Sequence, residues 1–171
     1  MPVSNATPLI YLARIGKLSL LQKIFNQIQI PPEVKIETID QGKAEKYSDA
    51  YIIEEALNQG WLKEHKLTQE NTKKAKALME ITGIDLGESQ VIILAKQKKE
   101  KEVLIDQSDV RKVAKHLGLN PRGTIYVIIT ATKNNLITKE EAKQTLAKLL
   151  NANFYLSAKT YHEALKAIEK L

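Results

Sequence analysis

Short apolar segments alternate with longer segments of helical periodicity along this chain. The short segments are apolar, or alternate with polar residues, and end at turn-forming residues, which is typical of β-strands. They cover residues 2–5, 28–30, 61–62 and 103–105. In the longer segments apolar residues recur every three or four positions, which predicts amphipathic helices. These cover residues 8–15, 18–25, 32–39, 47–58, 68–81, 109–117 and 122–132, a segment from 85 to the charged run 98–102, and two helices that begin at 138 and 157.

Capping residues mark where several of these helices begin. Segments 85–88 and 138–141 have the form of a capping box, in which the first side chain and an acid three residues later bond each other's backbone. Thr7 is placed to cap the first helix and Ser157 the last. Residues 42–47 are the most loop-like internal stretch, and the lysine-rich segment 63–76 is expected to protrude as an arm.

Alternation of strands and helices predicts the fold class. It indicates an α/β protein with three layers, α/β/α, around a mostly parallel sheet. At 171 residues the chain is expected to form one domain, 1–171, and no internal repeat, low-complexity segment or linker divides it.

Composition narrows the classes of chemistry and location. The chain has no cysteine, which excludes disulfides, a thiol nucleophile and a thiolate metal site. No apolar run approaches the roughly 18 residues of a membrane span, and the first residues lack the apolar core of a signal peptide. We therefore expect a cytoplasmic protein without membrane contact.

The net charge of +6 is compatible with a polyanionic partner such as RNA or DNA, and equally with a solvated lysine-rich surface. Phenylalanine and tryptophan are few, so composition does not indicate a platform for stacking single-stranded bases.

The ends of the predicted strands indicate where a site would lie. In an open α/β sheet, ligands bind beyond the carboxyl ends of the strands. Asn5 follows the first strand, and Asp106 follows the most apolar one. The strand-end rule therefore selects these two residues, and it does not by itself select Glu37 or Glu88.

Carboxylate chemistry remains after other mechanisms are excluded. The chain has no glycine-rich phosphate loop and no GxSxG sequence, and its three histidines are scattered. Acidic side chains provide hard oxygen ligands for Mg²⁺ or Mn²⁺, which act on phosphate groups. The candidates are Glu37, Glu88, Asp106 and Asp109, with Asn5 as a neutral fifth member.

Each acidic candidate except Asp106 also has an ordinary structural explanation. Glu37 fits a solvated helix position, Glu88 fits the capping box, and Asp109 could cap the helix after Asp106. Spacing along the chain does not bring the four together, so the fold must do so.

Four ordered motifs resemble those of PIN-domain proteins, in particular a VapC-like prokaryotic branch. The first is VSNATPLI at 3–10, followed by LARIGKL at 12–18. The others are IPPEVKIE at 30–37, LGESQVI at 86–92 and LIDQSDVRKVA at 104–114. Gly118-Leu119 and Gly123-Thr124 fit the next segment, so the resemblance covers about residues 2–136, with only C-terminal helices, 138–171, beyond it.

The resemblance implies a three-layer fold and Mg²⁺- or Mn²⁺-dependent phosphodiester hydrolysis, usually of RNA. It also implies a toxin with a partner antitoxin protein, and a homodimer. Carried over by motif, the metal ligands would be Asn5, Glu37, Glu88 and Asp106, with Asp109 beside them.

Further residues have supporting roles by the same resemblance. Thr7 is expected to support the first ligand, and Thr124 also belongs to this group. Arg111 and Lys112 are expected to hold the RNA backbone, although an exposed helix face explains them equally well.

Asn5 departs from the family pattern, because most active PIN domains carry aspartate there. A carboxamide offers a carbonyl oxygen but no negative charge, so weaker cation binding is expected. Gln90 and Gln107 also stand where relatives carry acids. An alternative function is therefore a catalytically weak or inactive module that binds RNA or a partner protein.

A third hypothesis is an oligomerisation or antitoxin-docking scaffold. It rests on the apolar stripe of the last helix, 157–171, formed by Tyr161, Leu165 and Ile168. Such a stripe more often packs into a core.

Overall fold

A single parallel sheet lies at the centre of the molecule, and the computed structural model describes residues 1–171 throughout. The strand order is β3-β2-β1-β4-β5, and every neighbouring pair is parallel. The strands are β1 Val3–Ser4, β2 Ile28–Ile30, β3 Leu62–Glu64, β4 Glu102–Leu104 and β5 Asn120–Arg122. The order reverses between β1 and β4, so the sheet has its switch point there.

Helices connect the strands and cover both faces of the sheet, which confirms the predicted three-layer α/β/α fold. They are α1 Ala6–Arg14, α2 Ser19–Phe25, α3 Pro32–Lys35, a π-helical stretch Ile36–Gln41, α4 Gly42–Ala44, α5 Ser48–Asn58, α6 Gln69–Thr82, α7 Leu86–Gln97, α8 Ser108–His116, α9 Thr124–Lys133, α10 Lys139–Asn151 and α11 Ala158–Glu169. Both predicted capping boxes form, and Ser157 accepts the backbone N–H of Thr160 as predicted.

The edge strand β5 is absent from the sequence prediction, which placed a helix over 122–132. The observed helix α9 begins at Thr124. The sequence Asn120-Pro121-Arg122 has no apolar or alternating pattern that would indicate a strand. Because Pro121 has no N–H to donate, this segment can pair only as an edge strand. Pairing forms nevertheless, because the Ile105 N–H donates to the Arg122 carbonyl at 2.7 Å.

The loop predicted at 42–47 is half correct, because residues 42–44 are helical and residues 45–47 are not. Helical structure continues from α3 through the π-helical stretch into α4, and only the turn before α5 is irregular. Gly42 permits this path, since a Cβ at this position would lie 2.8 Å from the Ala50 Cβ. Its lack of a side chain therefore allows α4 to pack closely on α5.

The predicted protruding arm at 63–76 is also wrong. Lys63 lies in β3, and α6 packs along α7 with Ala75 fully buried. Lys73, Lys74 and Lys76 are exposed on the outer face of this packed helix, which is why the segment is so polar in sequence.

The core lies on both sides of the sheet. Ile28, Ile30, Leu104 and Ile105 are completely buried. The stripe of α11 also packs inward, because Ile168 is fully buried and Tyr161 and Leu165 contact the same core. That stripe is therefore not a free docking surface. None of the helices is both long and apolar enough to span a membrane.

Candidate functional site

Asn5 and Asp106 lie side by side at the switch point of the sheet. β1 and β4 are neighbouring parallel strands, and the Asn5 N–H donates to the Leu104 carbonyl at 2.9 Å. The two strands therefore end at the same edge of the sheet. The strand-end rule thus locates this edge from the sequence.

The carboxamide of Asn5 is buried and is held by Gln107. Asn5 occupies the N-cap of α1 but makes no capping hydrogen bond with its side chain. Its Nδ2 donates to Gln107 Oε1 at 3.4 Å, and Gln107 Nε2 donates to Thr7 Oγ1 at 3.0 Å. Thr7 therefore does not cap α1 as predicted, and it reaches Asn5 only through Gln107. Neither of these two hydrogen bonds involves Asn5 Oδ1, which has no partner within the protein.

Asp106 is fixed at the N-terminus of α9 by Thr124. The Thr124 backbone N–H donates to Asp106 Oδ1 and its hydroxyl donates to Oδ2, both at 2.7 Å. Burial raises the pKa of Asp106, while the two Thr124 bonds and the Arg111 charge act in the opposite direction. Each carboxylate oxygen still has acceptor capacity beyond one hydrogen bond.

Gly123 makes this arrangement possible. A Cβ at this position would lie 2.7 Å from Asp106 Oδ1 and 3.3 Å from an Arg111 Nη1. A contact of that length is not compatible with the observed carboxylate position, so the close approach of Asp106 to α9 requires glycine here.

Glu88 lies in the capping box at the start of α7. Its Oε2 accepts the Asp85 N–H at 2.9 Å, and its own N–H donates to Asp85 Oδ1 at 2.7 Å. Burial raises the pKa of Glu88, and the negative charges of Asp85, Asp109 and Glu37 raise it further, against the bond from the Asp85 backbone. The capping box leaves the second oxygen of Glu88 free.

Glu37 reaches the same region from the π-helical stretch. Its Oε2 would lie 3.7 Å from a Cβ at Gly87, so its carboxyl group rests against the start of α7 although the residue is exposed. Partial burial of the carboxyl group, followed by the charges of Asp85 and Glu33, raises the pKa of Glu37. A π-helical distortion often accompanies a functional residue.

Five acidic side chains at this edge of the sheet lack basic partners. These five form no ion pair within the chain, although the chain has a net charge of +6. They are Glu33, Glu37, Asp85, Glu88 and Asp109. Their mutual repulsion helps to raise the pKa values of Glu37 and Glu88. Their oxygens are the ligands that a hard divalent cation prefers.

The carboxylates nevertheless form two separate groups. On the α7 side, the negative charges of Glu37 and Asp109 raise the pKa of Glu88. On the α9 side, Asp106 interacts instead with Arg111 and Thr124. No three acidic or histidine side chains converge closely enough to hold an ion in the observed conformation. The donor chemistry therefore fits a divalent cation, and the side-chain positions do not yet enclose one.

The two basic residues expected to hold RNA point to different places. Arg111 donates to the Ile105 carbonyl at 3.0 Å and lies beside Asp106. Lys112 is exposed and lines a different depression, with Leu78 and His116. Arg111 is thus part of the acidic edge, and Lys112 lies outside it.

Gln107, Gly123 and Asp85 were not identified as site residues from the sequence. Gln107 directly follows Asp106, and Gly123 precedes Thr124, so both were adjacent to candidates. Gln107 depends on its contact with Thr7, 100 residues away in the sequence, and Gly123 on its close approach to Asp106, which no local pattern indicates.

A five-stranded parallel α/β/α protein with acidic side chains at its switch point is the class that this fold and site define. A family model described as PIN domain, DUF3368, matches residues 1–170, and the chain belongs to that family. No curated protein matches the chain. PIN domains are typically nucleases that bind RNA and generally use divalent metal ions.

Proposed function

We propose that this protein is a metal-dependent endoribonuclease that hydrolyses RNA phosphodiester bonds. The observation that carries the proposal is the group of acidic side chains, without basic partners, at the switch point of a PIN fold. Such a group is costly in a folded protein unless a cation binds there.

The residues that would hold Mg²⁺ or Mn²⁺ are Asp106, Glu88 and Glu37, with the carbonyl oxygen of Asn5. A bound divalent cation supplies Lewis acidity toward the phosphate and lowers the pKa of water. Asp109 adds negative charge beside Glu88.

The remaining residues of the edge position these ligands. Thr124 fixes the Asp106 carboxylate, and Asp85 fixes the N-terminal turn of α7 that carries Glu88. Gln107 links the Asn5 amide to the Thr7 hydroxyl by hydrogen bonds and so holds it at the edge. Arg111 would contact the RNA backbone beside Asp106, and Lys112 would contact it only where the RNA extends beyond the acidic edge.

Cleavage of single-stranded RNA by the purified protein with Mn²⁺ tests the proposal. We expect Asp106→Asn to abolish cleavage, since the variant loses charge but keeps its size. Glu80→Gln, which neutralises an exposed acid of α6, is the matched control and should cleave like the wild type. Equal cleavage by Asp106→Asn and wild type would show that the assignment is wrong.

A catalytically weak or inactive module that binds RNA or a partner protein is the second candidate. The neutral amide pair of Asn5 and Gln107 favours it, because two positions at the edge contribute no charge. Asn5→Asp distinguishes the two candidates. A large gain in Mn²⁺ affinity and cleavage from a silent parent supports the module, and an unchanged rate from an active parent supports the enzyme.

The finer part of the proposal is a cytoplasmic, VapC-like toxin that acts as a homodimer and is neutralised by an antitoxin protein. It is supported by the four motifs of the first 136 residues. Growth arrest on expression, reversed by Asp106→Asn, and a dimer mass in light scattering are the expected results. Normal growth with an active enzyme would exclude the toxin role.

A further inference from the structure

A cavity of about 600 Å³ opens beside the acidic edge and continues away from it. Thr7, Asp106 and Gln107 form its inner wall, and Arg111 and Gly123 lie next to them. Its outer wall is the irregular segment between α10 and α11. A molecule that reaches Asp106 from this side must therefore pass along the cavity.

Aromatic side chains are concentrated in this cavity. The chain has one tryptophan, six tyrosines and two phenylalanines, and Tyr11, Tyr126, Phe154 and Tyr155 all line the cavity. Phe154 packs edge-on against Tyr11 with ring centroids 5.0 Å apart, so the inner pair is fixed. The Arg122 guanidinium lies over the Tyr126 ring in a cation–π contact, 4.5 Å from the ring centroid.

Tyr155 is the exception among these aromatic residues. It is 91% exposed at the rim, the highest exposure of any large apolar side chain in the chain. It makes no hydrogen bond and no aromatic contact within the molecule. Its ring is therefore free to stack on a planar group that enters the cavity.

The polar lining favours a nucleobase over a purely apolar ligand. Gln107, Ser108, Asn153, Ser157 and Thr160 provide side-chain donors and acceptors, and Asp106 is the only acidic residue in the lining. Arg111 supplies the single positive charge of the lining next to Asp106. Aromatic faces, hydrogen-bonding groups and a cation are the elements that recognise unpaired nucleotides.

We infer that this cavity binds an unpaired nucleotide of the RNA next to the phosphate at the acidic edge, with its base stacked on Tyr155. The inference rests on the proposed function, since RNA is the substrate assigned there. It adds that the substrate is single-stranded at this position, because a base in a duplex cannot leave its stack to enter a side cavity without unpairing.

The test measures binding separately from cleavage. A fluorescein-labelled single-stranded RNA of roughly 12 nucleotides, within the length that one such surface covers, is titrated in EDTA with wild type and variants. We expect Tyr155→Ala to raise the Kd about 5- to 100-fold, the range for loss of one stacked base. Tyr155→Phe should bind like the wild type, because the ring is retained.

Tyr51→Ala is the matched control, since Tyr51 is an exposed tyrosine on α5, outside this cavity. It should leave the Kd for RNA unchanged, and duplex RNA should bind wild type and Tyr155→Ala equally. In turnover with Mn²⁺, Tyr155→Ala should raise KM and leave kcat and Mn²⁺ affinity unchanged.

Failure of this inference is distinguishable from failure of the proposed function. If the wild type cleaves RNA and Tyr155→Ala binds it as tightly as Tyr51→Ala does, the cavity assignment is overturned and the nuclease stands. If the wild type does not cleave but binds RNA through Tyr155, the cavity stands. If the wild type binds no RNA, or if Tyr155→Ala changes only the oligomeric mass in light scattering, the cavity is not a nucleotide site.

Discussion

Asn5 makes the first position of the site neutral, and its neighbours fix what that amide can do. Gln107 accepts from its nitrogen, which leaves the carbonyl oxygen for a ligand. Asp106 is restrained even more firmly, by two bonds of 2.7 Å from Thr124. This edge thus carries one neutral amide and one carboxylate held against a helix N-terminus, where negative charge is favoured.

Gly123→Ala tests whether the position of Asp106 matters to function. The added Cβ would displace the Asp106 carboxylate, so we expect RNA cleavage to fall by about 10- to 100-fold. Gly60→Ala is the matched control, because a side chain strains the left-handed backbone of Gly60 (φ 79°) in the turn between α5 and β3. Both variants should lower Tm, and only Gly123→Ala should lower the rate per folded molecule. Equal loss of rate in both would contradict a specific role for Gly123.

Several elements present site residues through features that are visible in sequence. The capping box at 85–88 and the strand ends at Asn5 and Asp106 were predicted because they depend on neighbours close along the chain. β5 was not predicted, because the pairing of 120–122 depends on its tertiary contact with β4. The π-helical stretch was not distinguished from the helix predicted over 32–39, because it continues the same helical path into the contact of Gly42 with Ala50. Local chemistry therefore indicates the edge, and tertiary contacts decide its shape.

The two capping boxes provide a paired experiment at the scale of the helix. Asp85→Ala and Thr138→Ala each remove an N-cap side chain, which costs about 1 kcal/mol and lowers Tm by roughly 2–4 °C in a chain of this size. Only α7 carries Glu88, so only Asp85→Ala should also weaken Mn²⁺ binding in calorimetry. Identical Mn²⁺ affinity in both variants would show that the cap of α7 does not contribute to metal binding.

At the scale of the whole molecule, charge is distributed unevenly. Lysines give the chain its net +6, while the edge of the sheet holds acids without partners. The cavity collects aromatic residues from three distant segments, around positions 11, 126 and 154. Composition alone did not indicate a stacking surface, because the few aromatic residues are brought together only by the fold.

The acidic side chains with raised pKa values should make the free energy of unfolding depend on pH. The pKa values of Glu37, Glu88 and Asp106 are raised in the folded state, so the folded protein binds more protons than the unfolded one at intermediate pH. Stability from these groups therefore falls as pH rises from about 4 toward 7. In thermal unfolding without metal, Glu37→Gln should match the wild type near the lower pH and exceed its Tm near the upper one. A Tm difference that does not change with pH would contradict this explanation.

The position of Mn²⁺ in a crystal, located by its anomalous scattering, tests the central claim most directly. We expect one or two peaks bounded by Asn5, Glu37, Glu88 and Asp106, with the side chains of the α7 and α9 sides drawn together around them. A Mn²⁺ peak at another place, or no peak at a concentration that supports RNA cleavage, would show that this edge of the sheet is not the metal centre.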